Sequence, residues 1–180
     1  MLGYSRQSIT ESDITAVVEV LRSDWLTQGP AISKFEDLIC QITSAKYAVA
    51  VSNATAGLHL AMKAIGVSSE TEVCVPTNTF VSTANAAKML GAEVRFIDTD
   101  PGSGNLDLDD LEDNLINSAD VVVPVHFAGL PVDMERLSTI ADERGIKVIE
   151  DASHALGAKY KDGSMVGNCK YSLCTVFSFH

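Results

Sequence analysis

Apolar positions recur along this chain at helical and extended spacings in alternation. Thr10 and Asp13 have the spacing of a capping box, and Ile14, Val17, Val18 and Leu21 behind them share one helical face. A turn-rich stretch follows, Trp25-Leu26-Thr27-Gln28-Gly29-Pro30. Pro30 suits the first turn of a second helix, whose Ile32, Phe35, Ile39 and Ile42 are expected to face inward. Tyr47 to Ser52 reads as a buried strand, and Thr55 to Ile65 as a helix closed by Gly66.

The alternation then continues. Glu72 to Val75 is a short strand, Phe80 to Leu90 a helix with Gly91 behind it, and Val94 to Ile97 a strand. Leu108 to Leu115 is a helix, Asp120 to Val125 a valine-rich strand, and Met134 to Arg144 a helix stopped by Gly145. Lys147 to Ile149 is another strand, Asp162-Gly163 a hairpin signal, and Leu173 to Phe179 a last apolar run. Helices alternating with strands that are apolar throughout predict an α/β domain. Its sheet should be largely parallel and covered on both faces. There is no internal repeat, low-complexity tract or interdomain linker.

Composition narrows the function classes. The chain has 180 residues, 46% of them hydrophobic and 21% charged, and a net charge of −11. Length suggests one domain. A chain this size buries roughly 70% of its unfolded surface, so a true core is expected. The acidic balance argues against a nucleic-acid binder, which carries a basic stripe, and against electrostatic membrane binding. No run of about 18 apolar residues is present, so no membrane-spanning helix is expected. Met1 to Asp13 does not read as a secretory signal. Cys40, Cys74, Cys169 and Cys174 form no CxxC pair and read as reduced cysteines of a cytosolic protein. Asn53-Ala54-Thr55 matches the glycosylation sequon, which has no meaning without secretion. Residues 93–120 hold nine acidic residues against one Arg, read as a solvated face instead of a metal site.

In open α/β sheets ligands bind beyond the carboxyl ends of the strands, so the residues there are the candidates. Ser52-Asn53-Ala54-Thr55-Ala56-Gly57 opens a helix with small residues. It could cradle a phosphate, although Ser, Asn and Thr also cap ordinary helices. Pro76-Thr77-Asn78-Thr79-Phe80 brings an aromatic that could stack on a planar ligand or simply join the core. His126-Phe127-Ala128-Gly129-Leu130-Pro131 is a turn at the same edge. Glu150-Asp151-Ala152-Ser153-His154 ends an apolar strand in carboxylates. A buried carboxylate needs a partner, and a cationic ring nitrogen of a ligand would be one. A capping Asp and a satisfied His are the plainer alternative.

Competing motifs fail. Gly102-Ser103-Gly104 lacks the third glycine of a dinucleotide fingerprint and does not lead from strand to helix. There is no P-loop and no nucleophile elbow, and His59, His126, His154 and His180 lack zinc spacing.

Taken in order, several stretches resemble the DegT/DnrJ/EryC/StrS sugar aminotransferases. They are Trp25 to Pro30, Ser52-Asn53-Ala54-Thr55, Pro76 to Phe80, Phe96-Ile97-Asp98-Thr99-Asp100, Asn105-Leu106-Asp107, His126 to Asp133, Glu150 to Ala158 and Phe177-Ser178-Phe179-His180. The Tyr4-Ser5 opening, Leu26-Thr27-Gln28-Gly29 and Ser153-His154-Ala155-Leu156-Gly157 are most similar to the family's pseudaminic-acid pathway transaminases. Many relatives carry Gln where this chain has His154.

The resemblance implies a three-layer αβα large domain of the fold type I, aspartate aminotransferase-like architecture, with a mostly parallel mixed sheet. It implies pyridoxal 5'-phosphate (PLP) as cofactor. Ala54 and Thr55 would hold its phosphate with Ser178 nearby, Phe80 would stack on its ring, Asp151 would pair with the ring nitrogen, and His154 would sit by the ring hydroxyl. Tyr4, Trp25, Leu26 and Thr27 would line the entrance for a UDP-linked 4-keto-6-deoxy sugar, with glutamate as amino donor. Family members are homodimers.

One departure matters. Relatives carry the Schiff-base lysine three residues past the His of the Ser-Phe-His string, and this chain ends at His180. It therefore reads as the N-terminal part of the PLP-binding domain, without the small domain, inactive and association-prone by itself. A sugar dehydratase of the same family and a non-catalytic nucleotide-sugar or partner-binding relic are the alternatives.

Overall fold

The computed structural model describes residues 7–114 and 119–179. Its centre is a five-stranded sheet of β1 (Glu72–Pro76), β2 (Glu93–Ile97), β3 (Val121–Val122), β4 (Lys147–Asp151) and β5 (Cys174–Val176). The spatial order is β2-β1-β3-β4-β5, and every ladder is parallel. The antiparallel member of the expected mixed sheet is not among the described residues.

Alternation along each strand explains why both faces are covered. Val73, Val75, Val121, Val123 and Ile149 point into one core with Leu58, Met62, Ala84 and Ala87 from helices α3 (Ala54–Ala64) and α4 (Val81–Lys88). Cys74, Val122 and Val148 point into the other, with Leu111, Met134, Leu137 and Ile140 from α5 (Leu108–Asn114) and α6 (Met134–Arg144). Arg136 ties α6 to α5 through Asp109 and Glu112.

Several elements match the sequence closely. Helix α1 (Glu11–Arg22) begins with the expected reciprocal capping box of Thr10 and Asp13, and α6 ends at Gly145. Asp162-Gly163 makes its turn, with Lys159 bridged to Met165. The four cysteines are free.

The N-terminal region differs. Helix α2 (Pro30–Thr43) starts at Pro30, but only Ile39 and Thr43 are buried. Ile32, Phe35 and Ile42 lie exposed. No residue of α1 is buried. Residues 47–52 form no strand: they run without a ladder partner among the described residues, leaving Tyr47 77% and Val49 78% exposed. Apolar runs register a need for burial, and here nothing among the described residues meets it. Two contacts anchor α2. Glu36 Oε1 accepts from the Ala50 N–H at 2.8 Å, and the Phe35 ring meets Phe179 edge-on at 5.0 Å.

Other bounds shift for local reasons. Phe80 is the N-cap of α4 instead of its first residue. The valine strand pairs regularly only at Val121 and Val122, because Pro124 has no N–H to give a ladder. Leu115 lies outside the described residues.

Gly167 joins three elements. Its φ is +96°, and a Cβ there would lie 2.6 Å from the Phe177 ring and 2.9 Å from Thr43. Gly167→Ala is expected to destabilise the fold by about 1–3 kcal/mol, measured by urea denaturation. An unchanged midpoint would mean that this contact is not tight in solution.

Candidate functional site

The strand order reverses between β1 and β3: β1 is followed by β2 on one side, and the chain then returns to the other. Such a reversal opens a crevice at the carboxyl ends of the strands. Four loops meet there. Asn78, after β1, donates from Nδ2 to the Gly104 carbonyl at 3.0 Å. Buried Asn105, after β2, donates to the Leu130 carbonyl at 2.9 Å and accepts from the Phe127 N–H at 2.9 Å. Phe127, after β3, packs edge-on against His154, which follows β4, at 6.3 Å.

Asp151 ends β4 within this crevice and is 3% exposed. One oxygen accepts from Thr83 Oγ1 at 2.7 Å. The other accepts from Ser153 Oγ at 2.6 Å and the Ser153 N–H at 3.2 Å. Thr79 Oγ1 in turn donates to Thr83 Oγ1 at 2.8 Å, so the first turn of α4 is tied to the carboxylate. Among the described residues, no cationic side chain pairs with Asp151. Asp151 caps no described helix, and its Oδ1 caps the turn after β4 through the Ser153 N–H.

Phe80 stands three residues before Thr83 and is 73% exposed. That excludes it from the core and leaves its ring free at the sheet edge. His154 is also exposed. Ala54 and Thr55 are the first two residues of α3 and half-buried. Asn53 caps the Ala56 N–H at 2.9 Å, while the Ala54 and Thr55 N–H groups face out of the helix end as first-turn donors do. The α3 helix sits against β5: a Cβ at Gly57 would lie 3.0 Å from Val176, which is paired with Asp151. Ser178 follows Val176 by two residues and is half-buried. Ala54, Thr55, Phe80, Asp151, His154 and Ser178 thus lie on elements that converge on one edge.

The remaining candidates are not gathered there by any such link. Trp25, Leu26 and Thr27 lie exposed in the turn between α1 and α2, whose hydrogen bonds run locally between Ser23 and Trp25. Gly29 is required in that turn, since a Cβ would approach Trp25 Cβ to 2.8 Å. Tyr4 lies outside the described residues.

Sequence reasoning missed two sets of residues. Thr79 and Thr83, which fix Asp151, carry only the signal of two threonines four apart at a helix start. The second set surrounds Glu150, whose side chain is fully buried on the opposite face of β4. Its carboxylate accepts from Ser172 Oγ at 2.5 Å, the Tyr160 hydroxyl at 2.6 Å, His126 Nε2 at 2.7 Å and Thr175 Oγ1 at 3.0 Å. Burial alone would raise the pKa of this carboxyl, but the bonds from His126, Ser172 and Tyr160 outweigh it and hold it below the usual carboxylate range. The Tyr160 hydroxyl is pushed well up by burial and by Glu150. His126 Nδ1 accepts from the Val132 N–H at 3.2 Å, so the geometry fits a neutral ring that donates from Nε2.

No described helix is long and apolar enough to cross a membrane. A model of the DegT/DnrJ/EryC1/StrS aminotransferase family matches residues 7–180. Among solved structures, the chain is similar to Spr1654 of Streptococcus pneumoniae in its PLP form, assigned as a sugar aminotransferase. Identity is 30% and TM-score 0.93, over 99% of this chain and 49% of that one. It is similar to Helicobacter pylori PseC, an aminotransferase of pseudaminic acid biosynthesis, at 32% identity and TM-score 0.92, over 99% and 47% of the two chains. It is also similar to DesI, solved with its TDP-sugar product, at 37% identity and TM-score 0.82, over 93% and 42%. The chain therefore spans about half the length of these structures or slightly less.

Proposed function

The chain belongs to the DegT/DnrJ/EryC1/StrS aminotransferase family, and from that premise we propose that residues 1–180 are the N-terminal, cofactor-binding part of a PLP-dependent sugar aminotransferase. The observation that carries the reading is Asp151. It is a buried carboxylate whose partners among the described residues are two hydroxyls and one amide, so its charge is unmatched. A protonated pyridine nitrogen is a cation suited to match it.

The rest of the edge fits the same group. The free N–H groups and the Thr55 hydroxyl at the start of α3 suit a phosphate, with Ser178 at its side. The exposed Phe80 ring offers a stacking face and shields one side of a planar ligand from water. His154 stands at the ring-hydroxyl end. Bound there, PLP supplies an electron sink for the amine transfer. Asp151 holds the ring-nitrogen proton, and Thr83 and Ser153 fix the direction of the carboxylate.

The amino group passes from glutamate to a UDP-linked 4-keto-6-deoxy sugar. The similarity to PseC and to DesI with its sugar-nucleotide product supports a nucleotide-linked acceptor. Trp25, Leu26 and Thr27 are the described residues we assign to its entrance on the strength of the family resemblance. The working enzyme is a cytosolic homodimer, and no lysine within residues 1–180 sits in the family's Schiff-base motif.

Borohydride reduction of the PLP-loaded, full-length protein tests this. The pyridoxyl-lysine peptide is expected outside residues 1–180, and a pyridoxyl-lysine inside them would overturn the assignment.

A further inference from the structure

Glu150 and Asp151 are neighbours on β4 with side chains on opposite faces, and His126 holds both. Its backbone N–H donates to the Asp151 carbonyl at 3.0 Å, and its ring Nε2 meets Glu150 at 2.7 Å. The Asp151 N–H in turn donates to the Pro124 carbonyl at 2.9 Å, and Val125 bridges Asp151. Regular pairing between β3 and β4 stops at Val122 and Val148, before Asp151 is reached. Pro124 breaks the ladder where the end of β4 needs support on that side. The rung lost is the N–H that Pro124 lacks; pairing resumes at Asp151, where the His126 N–H supplies the last rung and the His126 ring adds a side-chain tie to Glu150.

We propose that His126 and Glu150 form a clamp that sets the position of Asp151 toward the cofactor's ring nitrogen, with His126 a positioning residue that touches no ligand. The inference rests on the Asp151 reading above and deepens it. Three features carry it. Both ring nitrogens of His126 are engaged, Nδ1 by the Val132 N–H and Nε2 by Glu150, so the ring cannot turn without losing a buried bond. Glu150 gathers four donors from residues far apart in sequence: His126, Tyr160, Ser172 and Thr175. The clamped dipeptide is also the one that carries the unmatched carboxylate. Loosening the ring lets the end of β4 shift, and an electrostatic contact to a ring nitrogen fades with a small displacement.

The test measures a ratio of affinities in the full-length protein. PLP is compared with its 1-deaza analogue, in which carbon replaces the ring nitrogen. The wild type is expected to prefer PLP at least tenfold. His126→Asn keeps an acceptor for the Val132 N–H but loses the reach to Glu150, and the preference should fall about tenfold. His126→Gln keeps a donor at the Nε2 position and should retain the preference within threefold. A merely structural role would weaken both ligands together in both variants and leave the ratio unchanged, which would overturn the proposal. Glu150→Asp keeps the charge but shortens the side chain by one methylene, which draws the carboxylate away from the His126 ring. It reads the same ratio if His126→Asn fails to fold, and is expected to lower it. A wild-type ratio near one would overturn the Asp151 reading and the clamp with it. A wild-type preference that survives both His126→Asn and Glu150→Asp would overturn the clamp alone.

Discussion

Asp151→Asn, in the enzyme that carries this chain, is expected to weaken PLP binding by roughly 30-fold to several thousand-fold. That range corresponds to the about 2–5 kcal/mol lost when one partner of a buried, hydrogen-bonded charge pair is neutralised. The substitution is nearly isosteric. The amide oxygen can accept from the two Ser153 donors, and the amide nitrogen can face a Thr83 hydroxyl turned to accept. Thermal stability without cofactor should therefore change little, while a PLP titration followed by absorbance shows the loss. Unchanged affinity would mean that the ring nitrogen lies elsewhere. Equal losses of stability and affinity would assign Asp151 to the fold alone.

Glu150→Ala is expected to lower stability by about 3–5 kcal/mol, because it strips a buried carboxylate from four donors. At roughly 2–4 °C per kcal/mol for a chain of this size, the melting temperature should fall by about 6–20 °C. The same group makes stability depend on pH. Its carboxyl titrates lower in the folded chain than in the unfolded one. The unfolded chain therefore binds more protons as pH falls through that window. The contribution is complete above the ordinary carboxyl value of about 4.3 and is lost as pH drops through the folded value. Urea denaturation at pH 6 and pH 3.5 checks the sign: the gap between wild type and Glu150→Gln should narrow at the lower pH. A gap that widens would show that Glu150 is protonated in the native state at neutral pH.

Legibility in the sequence followed the range of the interaction. The capping box of α1, Pro30 at the start of α2 and the stop of α6 at Gly145 are local signals, and each was read correctly. The valine run reads as one continuous strand, whereas Pro124 interrupts its pairing, which resumes as a single bridge at Val125. Residues 47–52 show the same limit: their pattern states a demand for partners, and no described strand meets it. At the candidate site, Asp151 and Phe80 stand out as candidates in the sequence because strand ends mark the ligand edge. Thr83 was not found, since a hydroxyl in an alanine-rich helix has no signature until its distance to Asp151 is known. The Glu150 cluster was hidden for a related reason: its donors come from positions 126, 160, 172 and 175, which only folding brings together.

The strand order bears on how the chain assembles as it is synthesised. After β2 has paired with β1, β3 joins the free side of β1, and β4 and β5 then each join the strand made just before them. Among the described strands, none has to enter between two that are already joined. A nascent chain leaving the ribosome at about 5–20 residues per second always presents a ready edge to the next arrival. The slow step common to parallel sheets, the search for a distant partner, is divided into short searches that keep pace with translation.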